Sequence, residues 1–333
     1  MKAVAALRGS IVVTDTEDLP LERGHVRIRT EYSAISPGTE LSFLKKGGDH
    51  PSLLGYSAAG IVEEIGEGVT GLLPGQRVAC YGAPYVRHAE RLTVPSNLVA
   101  AVPDHVLPEE AAFAGLGAIA IHALRTADLR FGESAVVVGL GILGQIIAQI
   151  ASAAAVRVAA LDLNEQRVLM LQEQGIRHAY NRHEQLEEQL QILTDGYGAD
   201  SVILCAGGPG EELINRSLTW IRDRGNIVVV GDLTTTFSRG QMFGKEAQVL
   251  ISRAGGPGRY DSGYEKDNRD YPIGYVRWTE GRNVAEYVRL LAEGRISVLP
   301  LISHRYPLGE AEAAYANYLN PTDCLGTILE YES

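Results

Sequence analysis

Cysteine is scarce. Cys80, Cys205 and Cys324 stand singly among 333 residues, so neither a disulfide framework nor a CxxC metal knuckle is written here, and each reads as a small buried apolar side chain. Basic charge is in deficit too. Thirty Lys and Arg against 41 Asp and Glu leave a formal net charge of −11, which argues against a nucleic-acid surface, where clustered cations would neutralise phosphates. No apolar run is long and uninterrupted enough to span a bilayer. The opening residues, Met1 to Arg8, turn charged too soon for a signal peptide, so no membrane is expected and the cytoplasm is the expected compartment. There is no fixed-period repeat and no low-complexity stretch. What is left is ordinary globular composition, 45% hydrophobic and 21% charged, in a length that suits roughly two domains.

One stretch organises the rest: Val136-Val137-Val138-Gly139-Leu140-Gly141-Ile142-Leu143-Gly144. A Val-rich strand enters a helix through three spaced glycines, which serve a tight turn, close approach to a pyrophosphate and close helix–strand packing. The helix N-terminus adds free N–H groups and partial positive charge for the phosphates. Alone the pattern is weak. Its context strengthens it, because from residue 134 short strands apolar on both faces alternate with amphipathic helices, the pattern of a parallel, doubly wound sheet. Asp162 then closes the second strand about 20 residues after the glycines, where a ribose-binding carboxylate belongs.

Before this unit, residues 1–103 alternate short β-rich runs with turn signals at Gly66, Gly68, Gly71 and Pro74-Gly75, the pattern of a compact β-barrel-like unit. Pro108-Glu109-Glu110 leads into a nearly all-apolar stretch, residues 111–129, read as a buried helix joining two domains. After Gly231-Asp232 the chain is irregular and polar. A helix over about 283–293 follows, with Val284, Tyr287, Val288 and Leu291 on one face, and a strand-like tail is expected to rejoin the first domain.

This order resembles the medium-chain dehydrogenase/reductase superfamily over the whole chain. Tyr32-Ser33-Ala34-Ile35-Ser36-Pro37-Gly38-Thr39-Glu40, Gly55-Tyr56-Ser57-Ala58-Ala59-Gly60 and His88-Ala89-Glu90 look like the subgroup containing bacteriochlorophyllide dehydrogenases. Residues 256–261 and 270–280 are similar to bacterial bi-domain oxidoreductases, in which such a unit is fused to a sugar- or inositol-dehydrogenase-like module. The resemblance implies an α/β fold, a GroES-like β-barrel catalytic domain (residues 1–116, completed by a return segment at 266–333) plus a Rossmann doubly wound parallel sheet (residues 117–265). It further implies a homodimer, with a trans partner resembling a sugar or inositol dehydrogenase as a possibility.

Where zinc enzymes of the superfamily carry a cysteine, a His-Glu pair and a third ligand, this chain has Ser36-Pro37, Tyr56-Ser57 and Ala114-Gly115, and the four-cysteine structural lobe is missing. No zinc is expected, since zinc takes Cys, His or carboxylate ligands. The expected activity is a zinc-independent, NAD(H)-dependent oxidoreductase moving hydride between nicotinamide and a secondary alcohol or ketone of a polyhydroxylated metabolite. An enoyl- or quinone-type C=C reductase and a non-catalytic NAD(H)-binding subunit are the alternatives.

Candidate catalytic residues are Tyr56, in the place of a zinc-binding histidine; His88, as a proton shuttle; and Thr39, matching the relaying hydroxyl of the zinc enzymes. For Tyr56 and His88 a structural role is an equal reading. Glu40 is read as an ion-pair partner rather than a base, and Tyr81 as pocket lining or packing. Tyr260, Asp261, Tyr264, Tyr271, Arg277 and Trp278 form a polar aromatic loop that either clasps substrate or seals the fold. For the cofactor the expected contacts are Gly139, Gly141, Ile142, Leu143 and Gly144, with Asp162 on the ribose. Asp162 would repel a 2′-phosphate and so favour NAD(H) over NADP(H). Arg167 is read as flanking the adenine or offering some phosphate affinity, with a solvated helix residue an equal reading, and the resemblance implies that backbone at Gly231 and Arg253 would hold the nicotinamide amide.

Overall fold

The structure, a computed structural model, describes residues 1–319 and 324–332. Contacts divide the chain into Met1–Ile119 with Gly255–Ser333, and Ala120–Ala254. The second division falls earlier than the expected 265/266, because residues 255–265 fasten to the first unit through Tyr81, Asn97 and Ala83.

The first unit begins with strands β1 (Lys2–Leu7), β2 (Ser10–Asp15), β3 (His25–Ala34), β4 (Ser52–Leu53), β5 (Ser57–Ile65), β6 (Arg77–Tyr81), β7 (Arg91–Pro95) and β8 (Val99–Ala101). The long β3 is its spine. It pairs antiparallel with β5, with β7 and, through Ile328↔Ala34, with the tail strand. Val26, Ile28, Ala58, Val62, Val78, Cys80, Leu92 and Val94 close the interior. A second cluster around Ile35, Leu44 and Tyr315 seats the helices Pro37–Lys46 and Ala311–Leu319.

In the second unit β9 (Ser134–Val138), β10 (Arg157–Leu161), β11 (Ala179–Tyr180), β12 (Ala199–Leu204), β13 (Ile221–Val229) and β14 (Gln248–Ile251) form one parallel sheet in the order β11-β10-β9-β12-β13-β14. Every residue of β9 is buried. A strand buried on both faces needs a helix layer on each side, which makes the continuous Val run legible. The order reverses at β9, and ligands of such sheets bind beyond the strand ends at that reversal. The tail strands are β15 (Ile302–Pro307) and β16 (Gly326–Glu330).

Two helices differ from the expectation. The apolar run after Pro108 is broken into Pro108–Ala111 and Ala114–Thr126, and the later helix starts at Glu280, because the Thr279 hydroxyl accepts the Arg282 N–H at 3.3 Å and caps it. Among the described residues no helix is long and apolar enough to cross a membrane.

Candidate active site

In the second unit the glycine run turns off the end of β9. Gly139 sits at φ +90°, and a Cβ there would press on the backbone of Cys205 and Ala206 at 3.0–3.1 Å. A Cβ on Gly144 would run into the Gly139 carbonyl. These two glycines are required by the protein's own packing. Gly141 is different: it is the N-cap of the helix Ile142–Ala153, and its missing Cβ faces open space, with no atom within 4 Å. First-turn N–H groups of a helix have no intrahelical acceptor, so Gly141, Ile142 and Leu143 present donors beside that space. Pyrophosphate chemistry fits this cradle.

Asp162 directly follows β10. Its carboxylate accepts the Leu140 N–H at 2.6 Å and the Asn164 N–H at 2.8 Å, and Arg167 lies at 3.6 Å. Each carboxylate oxygen has a second lone pair, so two vicinal hydroxyls can still be received. Gly231 is less available than expected. Its N–H already donates to Leu204 and its carbonyl accepts from Leu233, both at 3.0 Å, while a Cβ would strike Ala206. Arg253 is exposed.

In the first unit Ser36 N-caps the helix Pro37–Lys46. The Tyr56 hydroxyl donates to Ser36 Oγ, and exposed Thr39 is its second hydroxyl partner. Burial above all, and more weakly Glu40 and Tyr260, push the Tyr56 phenol up to about 12, against the opposite pull of the Ser36 and Thr39 hydrogen bonds. Tyr56 is therefore a neutral donor at ordinary pH. Tyr81 packs edge-on to it with ring centroids 5.8 Å apart.

His88 is elsewhere. It has no exposed surface, Nε2 lies 3.0 Å from Glu40 Oε2, and Nδ1 lies 2.7 Å from Ser33 Oγ. With both ring nitrogens engaged inside the fold, it does not meet the expectation of a shuttle that touches substrate. Gly55, at φ +96°, makes room for it: a Cβ there would sit 2.8 Å from the imidazole. Glu40 joins the two groups, accepting the Ser36 N–H at 2.9 Å through one oxygen and His88 and Tyr315 through the other. Sequence reasoning missed Ser36 as the partner of Tyr56, since only the fold brings residues 20 positions apart onto one hydroxyl pair.

Zinc does not fit this donor set. Ser36 and Tyr56 are bonded to each other, Ser57 donates to the Ala112 carbonyl at 2.5 Å and accepts the Gly115 N–H at 2.8 Å, and a Cβ on Gly115 would lie 2.7 Å from the Tyr81 ring and 2.8 Å from Ser57. A third ligand at position 115 would have to displace the Tyr81 ring or Ser57. Among the described residues no group of three His, Cys, Asp or Glu side chains converges as a metal would require.

The loop after Gly255 holds a buried charge cluster. Arg259 pairs with Glu265, donates to the Ala83 carbonyl at 2.7 Å, and lies over the rings of Tyr81 at 5.9 Å and Tyr260 at 4.2 Å. Glu280 is fully buried, and neither of its oxygens has a donor. Burial first, then Glu265, raise its carboxyl from 4.5 to about 8 against the pull of Arg259. It is thus a neutral acid at pH 7, able to donate to Glu265. Tyr264 is buried and bonded to Thr279 at 2.8 Å, while Tyr271 bonds Asp261 at the surface. Arg277 lies over Trp278 at 3.9 Å. Tyr260 is 59% exposed and sits at φ +67°, a conformation that costs a bulky residue on the order of 1–3 kcal/mol.

Two family models match the chain: an alcohol dehydrogenase GroES-like domain over residues 22–128 and a zinc-binding dehydrogenase model over residues 143–266. The chain is 27% identical to 2-desacetyl-2-hydroxyethyl bacteriochlorophyllide A dehydrogenase of Cereibacter sphaeroides, over 97% of this chain and 98% of that protein. It is 24% identical to sorbitol dehydrogenase 1 of Saccharomyces cerevisiae, over 87% and 86%. Among solved structures, alcohol dehydrogenase TADH from Thermus sp. ATN1 superposes with a TM-score of 0.81 at 23% identity, covering 100% of both chains.

Proposed function

We propose that the chain, which an alcohol dehydrogenase GroES-like domain model and a zinc-binding dehydrogenase model match in succession, is a member of the medium-chain dehydrogenase/reductase superfamily and works as a zinc-independent, NAD(H)-dependent oxidoreductase acting on a secondary alcohol or ketone of a polyhydroxylated metabolite. Bound nicotinamide supplies the hydride chemistry, as donor or acceptor. The protein's tasks are to hold the dinucleotide and to manage one proton at the substrate oxygen.

The observation that carries the reading is the hydrogen bond between the Tyr56 and Ser36 hydroxyls, at two positions where the resemblance would put zinc ligands. A phenol near 12 is weaker than a carboxylic acid but far stronger than an alcohol, so Tyr56 can polarise a carbonyl and protonate the alkoxide that forms when hydride arrives. Ser36 orients the phenol, and Thr39 is placed to relay the proton outward. Glu40 and His88 act behind them, fixing the Ser36 N–H and with it the hydroxyl that Tyr56 bonds. The polyol class is supported by the sorbitol dehydrogenase likeness.

Two predictions follow from the cofactor and metal readings. The Asp162 carboxylate disfavours a 2′-phosphate, so fluorescence titration is expected to give about tenfold or greater preference for NADH over NADPH; tighter NADPH binding overturns the assignment. Elemental analysis of purified, active protein is expected to find far less than one zinc per chain, and stoichiometric zinc lost together with activity on chelation would overturn the Tyr56 mechanism. A homodimer and a trans partner similar to a sugar or inositol dehydrogenase are part of the same proposal, tested by sedimentation of the chain alone and with that partner.

A further inference from the structure

The loop residue Tyr260 is costly to the fold in two ways. It holds a bulky side chain in the left-handed region at φ +67° and leaves an aromatic ring 59% exposed. Yet its position is fixed. The Tyr260 N–H donates to Glu265 Oε1 at 3.1 Å, and the guanidinium of Arg259, held by Glu265 and the Ala83 carbonyl, lies 4.2 Å from its ring centre. The same guanidinium lies 5.9 Å from the Tyr81 ring, whose own centre is 5.8 Å from that of Tyr56. One ladder of ring, cation, ring and ring therefore runs from an exposed aromatic to the phenol read as proton donor.

We propose that Tyr260, carried on Arg259, is the specificity-determining wall of the substrate site, and that its ring receives the C–H face of a polyhydroxylated substrate whose reacting oxygen is at Tyr56. An aromatic face is electron-rich and attracts polarised C–H groups, while the hydroxyls of a polyol point away to other partners. Arg259 fixes the plane of the ring in advance, so little conformational freedom is lost when substrate binds. A short alcohol reaches Tyr56 without covering this wall. The proposal rests on the reading of Tyr56 given above.

The test compares sorbitol with 2-butanol as substrates for NAD-dependent oxidation by wild type, Tyr260→Ala, Tyr260→Gly and Tyr260→Phe, with Tyr56→Phe as control. We expect Tyr260→Ala and Tyr260→Gly to lower kcat/KM for sorbitol about tenfold, mainly through KM, with 2-butanol changed less than about twofold and Tyr260→Phe close to wild type. Tyr260→Gly relieves the backbone strain, so its Tm is expected at or above that of wild type; a marked fall in Tm would show a structural residue and overturn the wall. Equal effects on both substrates, or none on either, overturn it as well. If Tyr56→Phe oxidises 2-butanol at the wild-type rate, the proton-donor reading has failed, an outcome separate from that of Tyr260. A wild type that oxidises neither substrate overturns both.

Discussion

Tyr56→Phe is expected to lower kcat by about two to four orders of magnitude, the usual worth of a general acid or base, while the Kd for NADH, on the proposed site at Gly141 and Asp162, stays unchanged. The phenyl ring keeps the edge-on packing against Tyr81 but gives up the hydrogen bond to Ser36 Oγ, so stability should fall by about 0.5–1.5 kcal/mol. The intact enzyme has a matching signature in pH. With the phenol near 12, the acid form is complete at neutral pH, and carbonyl reduction should be flat between about pH 6 and 10 and fall only as pH approaches the phenol's own value. Alcohol oxidation needs the ionised form and should rise about tenfold per pH unit over the same range. Steady-state rates in both directions check this, and an oxidation rate that does not rise with pH would overturn the role of Tyr56.

Glu280→Gln should remove a pH dependence from folding. In the folded state this carboxyl titrates at about 8 instead of 4.5, so between these values the folded protein holds a proton that the unfolded chain has released. Stability therefore falls as pH rises from about 4.5 to 8 and levels off above, by on the order of 5 kcal/mol from this group. The helix N-terminus at Glu280 favours its anion by only about 0.3–2 kcal/mol, too little to offset the burial of a second carboxylate beside Glu265. Glutamine keeps a donor toward Glu265 and carries no charge. Urea titrations at stepped pH should show the variant more stable than wild type at pH 8–9 and the two converging near pH 4; a difference independent of pH would refute the account.

The second unit was readable because its information is local. A strand buried on both faces writes a continuous apolar run, a left-handed turn writes a glycine, and the carboxylate after β10 stands at a fixed distance along the chain. Helix boundaries were harder. Nothing in the apolar run after Pro108 marks the break at residues 112–113, and Thr279 caps a first turn of polar residues that carries no periodic signal. In the first unit Glu40 was readable as an ion-pair residue, but the partners were not. Tyr56 meets Ser36, His88 meets Glu40, and Arg259 meets both Ala83 and Glu265 only after the sheet has set their registers. His88 shows the limit most plainly: its residue type promises chemistry, but its burial between Ser33 and Glu40 assigns it to support.

The void that is missing above Gly115 also decides how this protein can change. Installing a metal would require ligands at positions 36 and 56 and a third side chain at 115, but the third meets the Tyr81 ring and Ser57 before it can extend. Clearing those two removes the ring that packs on Tyr56 and the hydroxyl that fastens the Gly115 N–H. Each single step toward a metal set thus removes a contact of the proposed Tyr56 donor before a ligand replaces it. For a designer seeking a zinc variant, positions 36, 56, 57, 81 and 115 are therefore coupled and would have to change together.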